Sequence, residues 1–443
     1  MMVRMEKSNR KRLLPQSPAA PPLAACSTPR PSGEEAPSMA SGADRISDLP
    51  EGVLHHVLSL LAAEDAVRTC VLARRWRDLW RSAPAVRVAG SAGWRGGLDA
   101  FVPFVDQLLR ARREGEAAPL DSCDFDLDLD LDRRDAAGVE RPARHGNSWI
   151  RRALRRGVED LRFRIRICRD FTVPLALSQR PLISPHLTRL ELRGVDGNPT
   201  VLDFSGCPAL VELTMRACGV GSREMHSPSL KRLTIECCFL TNLGRAPLLK
   251  SMPLLEAATV RLYRLCDDHC TNGRSDDCGD AACEGCYYYY YGLHDYDCVF
   301  LEGLTEATCL DLSAYPELYV FNRDLKFCPP FNKLKTLTLQ KWFLSADLSE
   351  LTWFLQHAPL LEKLTIRLSK ANNRLMETDG SYKPLEQPFS AGHLKFVEII
   401  CKNIDGIVLK ILEVLNANGV SLEKIRIWCS GRFNFLCTDV NSR

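Results

Sequence analysis

The stretch LKTLTL, Leu334 to Leu339, sets the fold because its spacing recurs along the chain. LEKLTI starts 27 residues later at Leu361, and both place apolar residues at positions one, four and six. Toward the N-terminus the pattern returns at Ala307 (ATCLDL), Leu255 (LEAATV), Leu230 (LKRLTI), Leu210 (LVELTM), Leu187 (LTRLEL) and Val158. Toward the C-terminus it returns at Leu394 (LKFVEI) and Leu422 (LEKIRI). From Val158 onward the steps are 29, 23, 20, 25, 52, 27, 27, 33 and 28 residues.

Apart from the step of 52, these lengths sit at or slightly beyond the leucine-rich-repeat range of about 20–29. Each unit supplies a short strand with alternate residues pointing inward and a return segment behind it. One unit cannot hide its apolar face; stacked units build a continuous core. Return segments with helical spacing support this. Leu98, Phe101, Val102, Val105, Leu108 and Leu109 share a face, as do Leu351, Phe354 and Leu355, and Val408, Ile411, Leu412 and Leu415. The expected fold is α/β: a curved solenoid with parallel strands on its concave face and helices or irregular segments on its convex face.

CDFDLDLDLD, Cys123 to Asp132, alternates strictly, so Phe125, Leu127, Leu129 and Leu131 should face in and the aspartates out. A calcium loop would need a glycine and a closing glutamate that this spacing lacks. The aspartates therefore read as a solvated strand face. Arg151, Arg152, Arg155 and Arg156 share a helix face and read as partners for solvent or for that acidic strand.

Composition bounds the rest. The 443 residues are 45% hydrophobic and 26% charged, with net charge +3. That balance makes no case for nucleic acid or an anionic membrane, and no apolar run reaches the length of a spanning helix. Residues 1–43 hold too few large apolar side chains to order and read as a disordered tail. Lys7, Arg10, Lys11 and Arg12 there read as a solvated basic cluster rather than a nuclear signal. With no secretory h-region, the 19 cysteines are expected to be free thiols in a reducing compartment, cytoplasmic or nuclear. Cys70, Cys309 and Cys401 are expected to serve as small apolar residues.

Residues 44–84 change pattern to three short helices. Leu54, Val57, Leu58 and Leu61 lie on one helical face behind Pro50, Glu64 and Asp65 open a second helix, and Trp76, Leu79 and Trp80 mark a third. Such a unit carries more apolar surface than it can hide. LPEGVLHHVLSLLAAEDAVRTCVLARRWRDLW resembles an F-box, the segment that binds the Skp-type adaptor of SCF ubiquitin ligases. The resemblance implies that Leu49, Pro50, Leu54, Val57, Leu58, Val71 and Leu72 face the adaptor. It also implies that Trp76, Leu79 and Trp80 pack the module. His393 to Ile427 is similar to the FBD region that closes many plant F-box/leucine-rich-repeat proteins. The expected division is an F-box at 44–84, a solenoid at 85–384 with a Cys/Tyr-rich insertion at 263–300, FBD-like repeats at 385–430 and a tail at 431–443.

Nucleophile-elbow, Walker, zincin and dinucleotide motifs are absent from the sequence. The expected role is non-catalytic; the resemblance implies a substrate receptor joined through the adaptor to cullin and RING subunits, and the alternative is a repeat scaffold outside any ligase. The outward strand positions form the expected substrate face: Arg189, Glu191, Arg193, Glu212, Arg216, Arg232, Thr336, Thr338, Lys363 and Arg367, with Trp342 just past a strand. Their mixed charge suits a protein partner. The step of 52 holds CDDHCTNGRSDDCGDAACEGCYYYYYGLHDYDC, Cys266 to Cys298. Cys266, Cys270, Cys283 and Cys286 have the close-pair spacing of a structural zinc site. Free thiols and disulfides are the open alternatives. No cofactor beyond that zinc is expected.

Overall fold

The period-two alternation of each motif becomes one strand, and the strands stack in chain order. The computed structural model describes residues 46, 48–90, 97–112, 120–129, 136–167, 175–176, 180–197, 202–220, 224–240, 248–250, 252–262, 300–313, 324–325, 328–340, 348–368 and 390–429. Among them, twelve strands form the spine of one parallel sheet. They are β1 (Ala85–Ala89), β2 (Ser122–Leu129), β3 (Asp160–Ile167), β4 (Arg189–Arg193), β5 (Glu212–Arg216) and β6 (Arg232–Leu240). The run continues with β7 (Ala257–Leu262), β8 (Cys309–Ser313), β9 (Thr336–Gln340), β10 (Lys363–Arg367), β11 (Phe396–Cys401) and β12 (Ile425–Cys429).

Register is held from strand to strand, so the motif leucines align. Leu190 sits beside Leu213, Leu213 beside Leu233, and Leu310 beside Leu337 and then Leu364. These side chains are buried to within a few per cent and make one core running the length of the sheet. Two strands precede the first recognised motif, and Ala85–Ala89 carries no leucine repeat at all.

The helices are α1 (Glu51–Leu60), α2 (Ala63–Arg68), α3 (Leu79–Ser82), α4 (Gly97–Ala111), α5 (Ala136–Arg155), α6 (Ser349–His357) and α7 (Gly406–Ala417). Return segments close the core from behind: Phe101 on α4 and Trp149 on α5 pack with Phe125 and Phe163 of the sheet. Asp405 caps α7 by accepting from the Ile407 and Val408 amides at 3.1 and 3.2 Å. In the middle of the chain the returns are irregular. Three consecutive units there turn at the same place, with left-handed backbone at Gly194 (φ 65°), Ala217 (φ 47°) and Cys237 (φ 54°). The turn starts a second, shorter parallel ladder, in which Asp196 and Gly197 pair with Gly219 and Val220, and these pair with Phe239 and Leu240. At Gly194 an added Cβ would lie 2.6 Å from the Ile165 carbonyl oxygen, so only glycine fits there.

The step of 52 residues is anchored where the chain returns. Asp324, fully buried, accepts from the Phe300 and Leu301 amides at 2.6 and 2.8 Å. Cys266, Cys270, Cys283, Cys286 and Trp342 lie outside the described residues, as do the two tails. Free thiols are found at Cys70, Cys309 and Cys401, but Cys309 is exposed on the sheet and not buried as expected. The acidic strand is likewise not bare. Arg164 of β3 reaches across to Asp124 at 2.6 Å and lies 3.8 Å from Asp126.

Candidate functional site

Two surfaces stand out, and the first is on the helical module. Helix α1 hides Leu54 and Leu58 completely, at 0% and 1% exposure. This corrects the expectation that both face outward. They are the inner edge of the i, i+4 face and pack toward the first strand, leaving nothing for a partner to touch. Trp76, Leu79 and Trp80 are also buried. They do not share a helix: Arg74–Arg77 form a 3-10 turn, Asp78 breaks the chain at φ −118°, and α3 starts at Leu79.

The module's core is therefore complete, yet its outer face is apolar. Leu49, Pro50 and Val57 are exposed, and Val71 and Leu72 reach 74% and 66%. Ile46, Val53 and Leu60 extend the same apolar set and escaped the sequence reading. Val53 and Leu60 were legible in principle, since both fall off the buried stripe of α1 while remaining apolar.

A buried arginine joins this module to the sheet. Arg112 follows α4, is 4% exposed, and donates to the carbonyls of Trp80 (2.7 Å) and Ala83. Burial lowers its pKa to about 10, which still leaves it charged at neutral pH. It supplies donors to the carbonyls that α3 leaves open at its C-terminal end.

The second surface is the open face of the sheet, where register arranges outward residues in rows. The first row includes Asp160, Arg189, Glu212, Arg232, Thr336 and Lys363, and the fifth-position row includes Arg164, Arg193, Arg216, Glu236, Arg261 and Arg367. Glu191 and Thr338 stand in the row between. The rows bring most of the sequence-predicted residues together, but many of them already hold each other. Arg162 and Arg189 share Asp160, Arg232 holds Glu212, and Arg216 holds Glu236. Arg261 bridges Glu236 and Asp311 at 2.9 and 2.6 Å, and Gln340 also donates to Asp311. Burial works to lower the Arg261 pKa, but its hydrogen bond to the Asp311 carboxylate, which accepts, and the charges of Asp311 and Glu236 raise it above its ordinary value.

No helix among the described residues is long and apolar enough to cross a membrane. A parallel repeat sheet led by a helical module with an exposed apolar face defines a class: repeat proteins with an N-terminal helical module. Comparison with known sequences narrows it. Residues 46–85 match the F-box domain model. The meiotic F-box protein MOF of Oryza sativa subsp. japonica is 30% identical over 356 residues, covering 74% of this chain and 72% of that protein. A second relative, named as an F-box/LRR-repeat protein of Arabidopsis thaliana, is 29% identical over 224 residues, covering 48% of this chain and 40% of that protein. Another Arabidopsis thaliana F-box/LRR-repeat protein is 30% identical over 237 residues, covering 44% of this chain and 56% of its own length. The chain belongs to the plant F-box/leucine-rich-repeat family.

Proposed function

We propose that the chain is the substrate-recognition subunit of an SCF-type E3 ubiquitin ligase. In this reading residues 44–84 dock a Skp-type adaptor through Leu49, Pro50, Val57, Val71 and Leu72, joined by Ile46, Val53 and Leu60. The sheet of residues 85–384, with FBD-like units at 385–430 closing it, presents a protein substrate. The RING subunit and its E2 carry the chemistry. The receptor's contribution is effective concentration: it converts a bimolecular encounter into one held in place.

The observation that carries the reading is the apolar face on a module whose own core is already filled. A Leu or Val side chain gains roughly 1.5–3 kcal/mol on burial, and no described segment of this chain covers Val71 or Leu72. The interlocked charges of the open face, equal in both signs over most of the sheet, favour a protein over a polyanion as the second partner.

The test is co-purification of a Skp-type adaptor and cullin with the full chain. Wild type is expected to retain both. Val53→Asp with Val57→Asp, one helical turn apart on the exposed side of α1, is expected to lose both while keeping its thermal transition. Failure of the wild type to retain the adaptor would leave the chain as a binding scaffold outside any ligase.

A further inference from the structure

The open face changes character at β9. Over the three outward rows of β2 to β8 stand seven carboxylates and seven guanidinium groups, and most are joined in the ion pairs described above. Docking a charged partner there would break existing pairs. The outward rows of β9 to β12 hold three cations, Lys363, Arg367 and Arg426, against one carboxylate, Glu398. Among the described residues none of these four forms an ion pair. Arg426 stands opposite Glu398 in register, yet its guanidinium lies over the Phe396 ring, 5.0 Å from the centroid. The Lys363 ammonium lies over the same ring at 5.6 Å. Two cations from the flanking strands thus share one aromatic ring, which satisfies each only in part.

We infer that the β9–β12 section docks an acidic segment of a protein partner, one with carboxylates interleaved with apolar side chains. The inference rests on the receptor reading, since it assigns the chemistry of what that receptor captures. Excess unpaired cation selects negative charge. Phe396, and Ile400 beside Trp428, offer apolar contacts in neighbouring rows. Thr336 and Thr338 add hydroxyls to the flanking strand. A polyanion such as nucleic acid would gain the charge term but leave the apolar contacts unused.

The test uses the full chain with a Skp-type adaptor and a short fluorescein-labelled peptide alternating Glu with Leu, read by fluorescence anisotropy. Expected is saturable binding that weakens with salt and is absent for the Gln-for-Glu peptide. Lys363→Glu with Arg426→Glu should weaken binding about tenfold or more, while Lys231→Glu with Lys250→Glu, exposed cations beside the neutral half and off the outward rows, leaves it within about twofold. No binding of the Glu peptide, equal binding of the Gln peptide, or equal loss from the neutral-half variant would overturn the inference. A phosphoserine-for-Glu peptide bound more than tenfold tighter would overturn the carboxylate assignment. Adaptor retention is scored in the same samples: its absence in the wild type counts against the receptor reading, whatever the peptide does.

Discussion

Replacing Arg112 with alanine should loosen the helical module before it loosens the sheet. The guanidinium is buried and donates to two backbone carbonyls, those of Trp80 and Ala83, whose own residues are 4% and 2% exposed. Truncation leaves those acceptors without a partner in a place water does not reach. A buried group stripped of its partner costs about 1–3 kcal/mol. Relief of the arginine's own desolvation offsets part of that loss, so the net cost is set at about 3 kcal/mol. Spread over the junction, this is about a hundredfold loss of amide protection. Native-state hydrogen exchange reads it directly: amides of α1 to α3 should exchange about a hundredfold faster, with those of β4 to β10 nearly unchanged. Arg110→Ala, an exposed arginine two residues earlier, is the control and should change neither region. Unchanged protection in the helical module, or equal loss across all strands, would refute the claim that Arg112 holds the junction.

Four further outcomes follow from the structure. Leu54→Ala should destabilise the chain by about 2–5 kcal/mol in denaturant unfolding, whereas Leu72→Ala should stay within about 0.5 kcal/mol and act on adaptor affinity instead. Asp324→Ala should cost about 3 kcal/mol, because two buried amides lose a charged acceptor; a cost near zero would mean other groups anchor the return at Phe300. Cys237→Gly should stabilise by up to about 1 kcal/mol, since its left-handed backbone suits glycine better. Cys401 and Cys429 face each other in register with sulfurs 3.8 Å apart, so peroxide should convert the two thiols to one disulfide and water. Burial and the neighbouring thiol push the Cys401 pKa up to about 12, so mass spectrometry should find this step slow at neutral pH and faster as pH rises toward that value.

The repeat strands were legible because alternating apolar residues fix which face is buried, and ten motifs share apolar residues at positions one, four and six. The F-box module was legible from Leu49-Pro50 and the closing Trp76 and Leu79-Trp80. What could not be read was how surfaces meet. Leu54 and Val57 share a helical face in sequence, but only packing against the first strand decides that one is sealed and the other open. The aspartates of β2 gave no hint of Arg164, 40 residues away, because pairing across strands depends on register. Ala85–Ala89 lacks leucine and so fell outside the motif that found its neighbours. Arg112 looked like any surface arginine at a helix end.

Calorimetric titration of a Skp-type adaptor into the full chain at several temperatures tests the central claim most directly. Binding by an apolar face should carry a clearly negative heat-capacity change. It should disappear in Val71→Asp with Leu72→Asp, two exposed positions whose replacement leaves the module's core intact. Wild-type affinity in that double variant, or no adaptor heat with the wild type, would contradict the account.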